Sequence, residues 1–96
     1  MTLEELVKSR RSEILEIAAR HGAGNVRVFG SVARGEADGK SDVDFIVDLA
    51  PDRSLLDLAN LLADLRDLLG HEVHVVTEDS IYWLLKRRIL KEAVPI

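Results

Sequence analysis

The 96-residue chain has no cysteine, and no apolar run in it approaches the roughly 18 residues that a membrane span needs. The lack of cysteine excludes a disulfide framework and a thiolate metal site, and it fits a reducing compartment. The first fourteen residues, "MTLEELVKSRRSEI", carry charges throughout, which is unlike a signal peptide. We therefore expect a cytoplasmic protein that is neither exported nor embedded in a membrane.

Basic charge is also scarce, because 17 acidic residues outnumber 13 lysines and arginines and leave a net charge of −4. A general nucleic-acid surface needs clustered Lys and Arg, and the one basic run here, "KRRILK", is short. Direct nucleic-acid binding is therefore not expected. Repeats, low-complexity tracts and linkers are absent too, so the length predicts a single domain over residues 1–96.

Hydrophobic spacing and capping residues predict three helices and three strands. Thr2 and Glu5 form a capping box before the first helix, and Gly70 ends the leucine-rich second helix. Alternating or β-branched stretches predict the strands. This order of elements indicates a two-layer α/β fold with helices covering a three-stranded sheet. The predicted elements are a helix over 3–20, strands over 25–30 and 42–50, a helix over 54–69, a strand over 72–76 and a helix that begins at Asp79 or Ser80.

Polar residues concentrate in "GSVARGEADGKSDVDF", residues 30–45. Gly30 and Ser31 are expected to form a turn whose backbone N–H groups and hydroxyl offer donors to a phosphate. Arg34 can bind the same anion through its guanidinium group. Asp42 and Asp44 alternate on a strand, so their side chains leave one face about 7 Å apart. Carboxylates and substrate phosphates together are typical Mg²⁺ ligands, so the stretch predicts a site for a metal ion and a nucleotide.

Each piece of this stretch is also common in a purely structural role, as a turn, a solvated arginine or a strand cap. Their joint spacing is more specific. The "GS", the "RG" three residues later and the "SDxD" before an apolar strand resemble the signature of the DNA polymerase β nucleotidyltransferase superfamily. The chain is most similar to its minimal nucleotidyltransferases, the MntA-like proteins. The resemblance extends to the leucine-rich helix and the ending "RRILKEAVPI".

The resemblance implies a nucleotidyltransferase fold with a small mixed sheet and a substrate, ATP, whose triphosphate lies at the Gly-Ser turn. It implies that Asp42 and Asp44 are catalytic and bind two Mg²⁺ or Mn²⁺ ions. In such a site one metal ion lowers the pKa of the attacking hydroxyl, and the other neutralises charge as pyrophosphate leaves. The nucleotide-binding positions are then Gly30, Ser31, Arg34 and Ser41.

His74 departs from the family pattern, in which a third carboxylate usually stands in a "VDVV"-like strand, whereas this chain reads "VHVV". A neutral imidazole can bind a metal or accept a proton, although Mg²⁺ prefers oxygen. His74 is therefore a candidate catalytic residue, with a structural hydrogen bond as the alternative. Asp48 or Glu72 could supply the missing carboxylate, and ion pairing is the alternative role for both.

The function that the resemblance implies is that of an antitoxin in a hetero-oligomer. It would transfer AMP from ATP to a tyrosine of a HEPN-domain ribonuclease toxin. One alternative is a binding antitoxin that is weakened in catalysis at His74 and acts by occlusion. Another is a small-molecule nucleotidyltransferase, which would need an additional helical domain for its acceptor. Tyr82 and Trp83 follow Ile81 directly, so one aromatic is a candidate partner contact.

Overall fold

A four-stranded mixed sheet lies at the centre of the computed structural model, which describes residues 1–38 and 40–96. Gly39, in the predicted loop before the aspartates, lies outside the described residues. The strands are β1 (Ala23–Phe29), β2 (Val43–Leu49), β3 (Val73–Val76) and β4 (Val94–Pro95). They lie in the order β3-β2-β1-β4; β2 and β3 are parallel, and β1 is antiparallel to both its neighbours.

The α/β fold class is confirmed, but the expected number of strands is wrong. The additional strand, β4, is two residues long and pairs with Arg27 and Val28 of β1. A two-residue strand has no alternation of side chains that a sequence pattern could reveal. Its pairing with β1 places the end of the chain beside the strand that leads into Gly30.

The helices are α1 (Leu3–Ser9), α2 (Arg11–Arg20), α3 (Gly30–Arg34), α4 (Leu55–Leu69) and α5 (Trp83–Glu92), with a 3₁₀ turn at Glu78–Ser80. A capping box opens α4, since the Ser54 N–H donates to the Asp57 carboxylate at 2.9 Å and the Ser54 side chain accepts from the backbone of the first turn. Within the described ranges, no helix combines the length and apolarity required to cross a membrane.

The single helix predicted over residues 3–20 is two helices, α1 and α2, that meet at Arg10. Arg10 has φ −103° and ψ 12°, outside the helical region. No apolar residue stands between Val7 and Ile14. The helix therefore has nothing to bury there, and the break lets Val7 and Ile14 both pack into the core.

The last helix begins later than predicted, at Trp83. Ser80 belongs to the 3₁₀ turn, where its hydroxyl accepts a hydrogen bond from the Thr77 N–H at 3.0 Å and donates one to the Thr77 carbonyl at 2.9 Å. Asp79 lies within the same turn. The cap-type residues therefore stabilise a short turn, and α5 starts without a side-chain cap.

Strand β2 separates the core from the face that carries the polar residues. Val43, Phe45 and Val47 are buried in the core cluster, with side chains of α1, α2 and α4. Because side chains alternate along a strand, Asp44 leaves the opposite face of the sheet. The core thus fixes β2 and, with it, the position of the Asp44 carboxylate.

Candidate active site

The two predicted metal-binding aspartates stand at the start of β2. Asp42 directly precedes the strand and is exposed, while Asp44 lies inside the strand and is partly buried. In the antiparallel pairing with β1, Asp44 is opposite Phe29, the residue before Gly30. The sheet register therefore brings the aspartates and the glycine together, although the polar loop separates them in sequence.

The Asp44 carboxylate has a raised pKa, first because burial desolvates it. The neighbouring charges of Asp42 and Glu92 raise this pKa further, whereas those of His74 and Arg34 lower it. A partly buried carboxylate beside two further carboxylates is stabilised by additional positive charge. A bound cation would supply that charge, so the electrostatics fit a metal ion at this position.

The backbone of Gly30 lies against the Asp44 carboxylate. Its φ is +71°, and a Cβ atom built on it would overlap with Oδ2 of Asp44. Residue 30 must therefore be glycine for two reasons: the left-handed backbone conformation, and the space that the Asp44 carboxylate occupies. The predicted Gly-Ser turn is in fact the start of the five-residue helix α3, which is anchored by the buried Val32.

Ser31 follows Gly30 in α3 and is partly buried. The first N–H groups of any helix lack an intrahelical acceptor, and no side-chain cap accepts from them in α3. The role of Ser31 towards a nucleotide stays a prediction, and its position beside Gly30 is consistent with that role.

Arg34, at the end of α3, binds two carboxylates. Its Nε donates to Glu36 at 3.1 Å, and its Nη1 donates to Glu92. The hydrogen bond to Glu36 is the main reason that the pKa of Arg34 is raised. Arg34 and Gly30 line one cavity of about 190 Å³, so the structure brings together these two predicted nucleotide-binding positions.

Four residues of α5 that the sequence did not indicate also line this cavity, and two of them, Arg88 and Glu92, are charged. Only 17% of the Glu92 side chain is exposed, and its partner Arg34 is 58 residues away in the chain. No local pattern predicts such a contact. In the sequence, Arg88 is distinguished only as part of the short basic run "KRRILK".

Ser41 is engaged within its own loop. Its hydroxyl accepts a hydrogen bond from the Asp38 N–H at 2.9 Å and is 3.2 Å from Oδ1 of Asp38. The Lys40 N–H, with Ser41, lowers the pKa of Asp38. These contacts shape the segment before Asp42. A nucleotide-binding role for Ser41 remains a prediction.

His74 is a neighbour of both aspartates. It is the register partner of Asp44 across the parallel β2–β3 pair, and its Nε2 is 3.1 Å from Oδ2 of Asp42. His74 and Asp42 are each about half exposed, at 54% and 47%. The structure thus places His74 at the site, and its catalytic role stays a prediction.

The alternative carboxylates, Asp48 and Glu72, are both in ion pairs. Asp48 is 3.0 Å from Arg27 and Glu72 is 2.6 Å from Arg66. Within residues 1–38 and 40–96, no three or more carboxylates and histidines are arranged to hold a metal ion by themselves. Two carboxylates completed by substrate phosphates are nevertheless a usual Mg²⁺ donor set, so Asp42 and Asp44 fit the ion.

Comparison with known proteins identifies the family to which this chain belongs. The nucleotidyltransferase domain family model matches residues 11–96. Protein adenylyltransferase MntA of Thermococcus cleftensis is 37% identical over 94 residues, 98% of this chain and 95% of that protein. A Methanocaldococcus jannaschii protein, provisionally named a protein adenylyltransferase, is 44% identical over 86 residues, 90% of this chain and 92% of its own.

Solved structures of similar fold point to the same family as these relatives. A structure described as a provisional minimal nucleotidyltransferase has a TM-score of 0.88 and 46% identity, covering 100% of this chain and 97% of its own. A toxin–antitoxin crystal structure with AMP-PNP shares the fold at a TM-score of 0.75 and 20% identity, covering 88% of this chain and 69% of that one. From the family match, the relatives and the fold, we conclude that this chain belongs to the minimal nucleotidyltransferases of the nucleotidyltransferase domain family.

Proposed function

We propose that this protein transfers AMP from ATP to a hydroxyl of a partner protein. The observation that carries the proposal is the close approach of the Asp44 carboxylate to the backbone of Gly30. A carboxylate oxygen, the ligand type that Mg²⁺ prefers, lies there beside the start of α3, whose first N–H groups can donate to a phosphate. The name of the Thermococcus cleftensis relative, a protein adenylyltransferase, supports this choice of reaction.

In this reaction the acceptor oxygen attacks the α-phosphorus of ATP. A new oxygen–phosphorus bond forms, the bond to the bridging oxygen breaks, and pyrophosphate leaves. Asp42 and Asp44 would hold Mg²⁺ or Mn²⁺, which when bound neutralises triphosphate charge and activates the hydroxyl. Arg88 would supply positive charge to the cavity at Gly30, which is also lined by Arg34 in its pair with Glu92. His74, beside both aspartates, is the candidate acceptor for the hydroxyl proton.

The partner that we propose is a HEPN-domain ribonuclease toxin, modified on a tyrosine within a hetero-oligomer. The fold shared with a chain of a toxin–antitoxin crystal structure with AMP-PNP is consistent with this partner. A second candidate function is neutralisation by occlusion, without transfer. His74 favours it, because an imidazole replaces the oxygen ligand and negative charge that a carboxylate would supply.

Coexpression with the product of the neighbouring gene, which the proposal expects to be a HEPN-domain toxin, tests the proposal. We expect the partner's intact mass to increase by whole AMP groups and fragmentation to place them on a tyrosine. The matched control is coexpression with the Asp44→Asn variant, which should leave the partner unmodified. A complex that suppresses toxicity without any adduct would instead establish occlusion. An unmodified, fully toxic partner would contradict the antitoxin function altogether.

His74→Asp should raise Mg²⁺-supported AMP transfer by about tenfold, because an aspartate adds an oxygen ligand and a charge beside Asp44. Mn²⁺ tolerates imidazole better, so the wild type should prefer Mn²⁺ over Mg²⁺ more strongly than the variant does. Initial rates in each metal measure both effects. Rapid wild-type transfer with Mg²⁺, unchanged in His74→Ala and in His74→Asp, would show that His74 is structural.

A further inference from the structure

Helix α5 carries exposed cations, Arg87, Arg88 and Lys91. Within the described residues, Arg87, Arg88 and Lys91 form no ion pair and no side-chain hydrogen bond. Elsewhere most arginines are paired with carboxylates in a chain whose net charge is −4. The paired arginines are Arg10, Arg27, Arg34, Arg53 and Arg66. Uncompensated positive charge on one helix of an acidic protein attracts an anionic partner.

Large apolar side chains accompany these cations. The side chains of Trp83 and Leu84 are 72% and 58% exposed, and Tyr82 directly before them is 59% exposed. Trp, Tyr and Arg are the residue types that most often dominate the binding energy of protein interfaces. A nucleic-acid backbone would use the cations but would leave the leucine in water. The mixture therefore fits a protein segment better.

The position of this surface connects it to the active site. Arg87 and Lys91, with Leu84, line an open depression of about 560 Å³ on α5. Arg34, Arg88 and Glu92 line both this depression and the cavity at Gly30. A chain segment seated on α5 would therefore lie beside the place where the nucleotide is expected.

We propose that the α5 surface, formed by Trp83, Leu84, Arg87 and Lys91, docks an acidic segment of the acceptor protein. This inference rests on the proposed function, since it requires a protein acceptor. Charge complementarity selects an acidic segment, and the shared lining residues place its hydroxyl-bearing side chain near Gly30. A second copy of this chain is a poor occupant, because a two-fold contact through α5 would set like charges against each other.

Charge reversal tests the docking surface, with the product of the neighbouring gene, the expected HEPN-domain toxin, as the probe. Arg87→Glu/Lys91→Glu should weaken the complex by about tenfold or more in calorimetry. The control Lys8→Glu/Arg20→Glu changes the net charge equally, on α1 and α2, and should bind as the wild type does. Both variants should bind ATP normally. Equal affinity for the partner in both variants, or loss of ATP binding only in the α5 variant, would overturn the proposal.

A photo-crosslinking amino acid at residue 83 should capture the partner through an acidic segment, while the same probe at Leu55 should not. Leu55 is a suitable control because it is 80% exposed on α4. Lysines introduced into the captured acidic segment should restore binding to the Arg87→Glu/Lys91→Glu variant. Capture only at residue 55, or competition for residue 83 by a single-stranded RNA oligonucleotide, would contradict the proposal. Docking at α5 without AMP adducts would contradict only the proposed transfer.

Discussion

Replacing Asp44 by asparagine is expected to lower the rate of AMP transfer by about a thousandfold, the loss typical of removing a central electrostatic group from an active site. The substitution keeps the shape of the side chain and removes its charge. Asp44 is the carboxylate that approaches Gly30, and an asparagine at that position supplies no oxygen anion. Single-turnover transfer of labelled AMP to the partner, measured at saturating Mg²⁺, gives the rate.

The matched control is Asp48→Asn. Asp48 lies on the same strand and face as Asp44, but its carboxylate binds Arg27 at 3.0 Å and Asn25 at 3.0 Å. Its loss should leave transfer within about twofold of wild type, because a surface ion pair contributes little. Equal losses of rate in the two variants would show that the total negative charge of this strand face, rather than the position of Asp44, supports the reaction.

The stability of Asp44→Asn should move in the opposite direction to its activity. Burial raises the pKa of Asp44 in the folded state. A folded pKa above the unfolded one means that the folded state binds the proton more tightly, so stability falls as the pH rises through these values. At neutral pH the charged Asp44 therefore costs stability in the metal-free protein. The variant should melt at the same temperature as the wild type or higher, a result typical of active-site charges.

The central features of the site could be predicted from the sequence because its main residues lie within sixteen positions. The alternation of Asp42 and Asp44 on an apolar strand and the glycine before them are local patterns. The contribution of α5 could not be predicted, since Glu92 reaches Arg34 from 58 residues away. Contacts of this kind depend on how β4 pairs with β1 and how α5 packs, which no short pattern encodes.

The fold likewise has features that local sequence patterns predict and features that depend on contacts between distant residues. The buried faces of β2 and α4 follow from their spacing, as Leu61, Leu65 and Leu69 show at intervals of four. The break at Arg10 and the strand β4 were missed. Both follow from packing against the rest of the protein, because Ser9, Arg10 and Arg11 have ordinary helix-compatible identities and Val94-Pro95 is too short to have a period.

Gly30→Ala is expected to lower AMP transfer by at least about a hundredfold, since a displacement on the order of 1 Å in an active site can cost that much. The added Cβ would overlap with Oδ2 of Asp44 and force the carboxylate away from α3. The left-handed backbone, with φ +71°, adds strain, so we expect a loss of about 1–3 kcal/mol in the free energy of unfolding. Urea unfolding and transfer kinetics measure the two effects separately.

Two other glycines separate these causes. Gly70 has φ +66° and no atom within 4 Å of the place that a Cβ would occupy, so Gly70→Ala introduces backbone strain without a collision. Gly24 has neither a positive φ nor a neighbour within 4 Å, so Gly24→Ala should change little. Both control variants should retain transfer, and Gly70→Ala should lose about 1 kcal/mol of stability.

If Gly30→Ala lost stability to the same extent as Gly70→Ala and kept its activity, the contact between Gly30 and Asp44 would have no catalytic importance. The expected result, a loss of transfer far larger than strain explains, would show that the reaction depends on how closely this carboxylate approaches the start of α3.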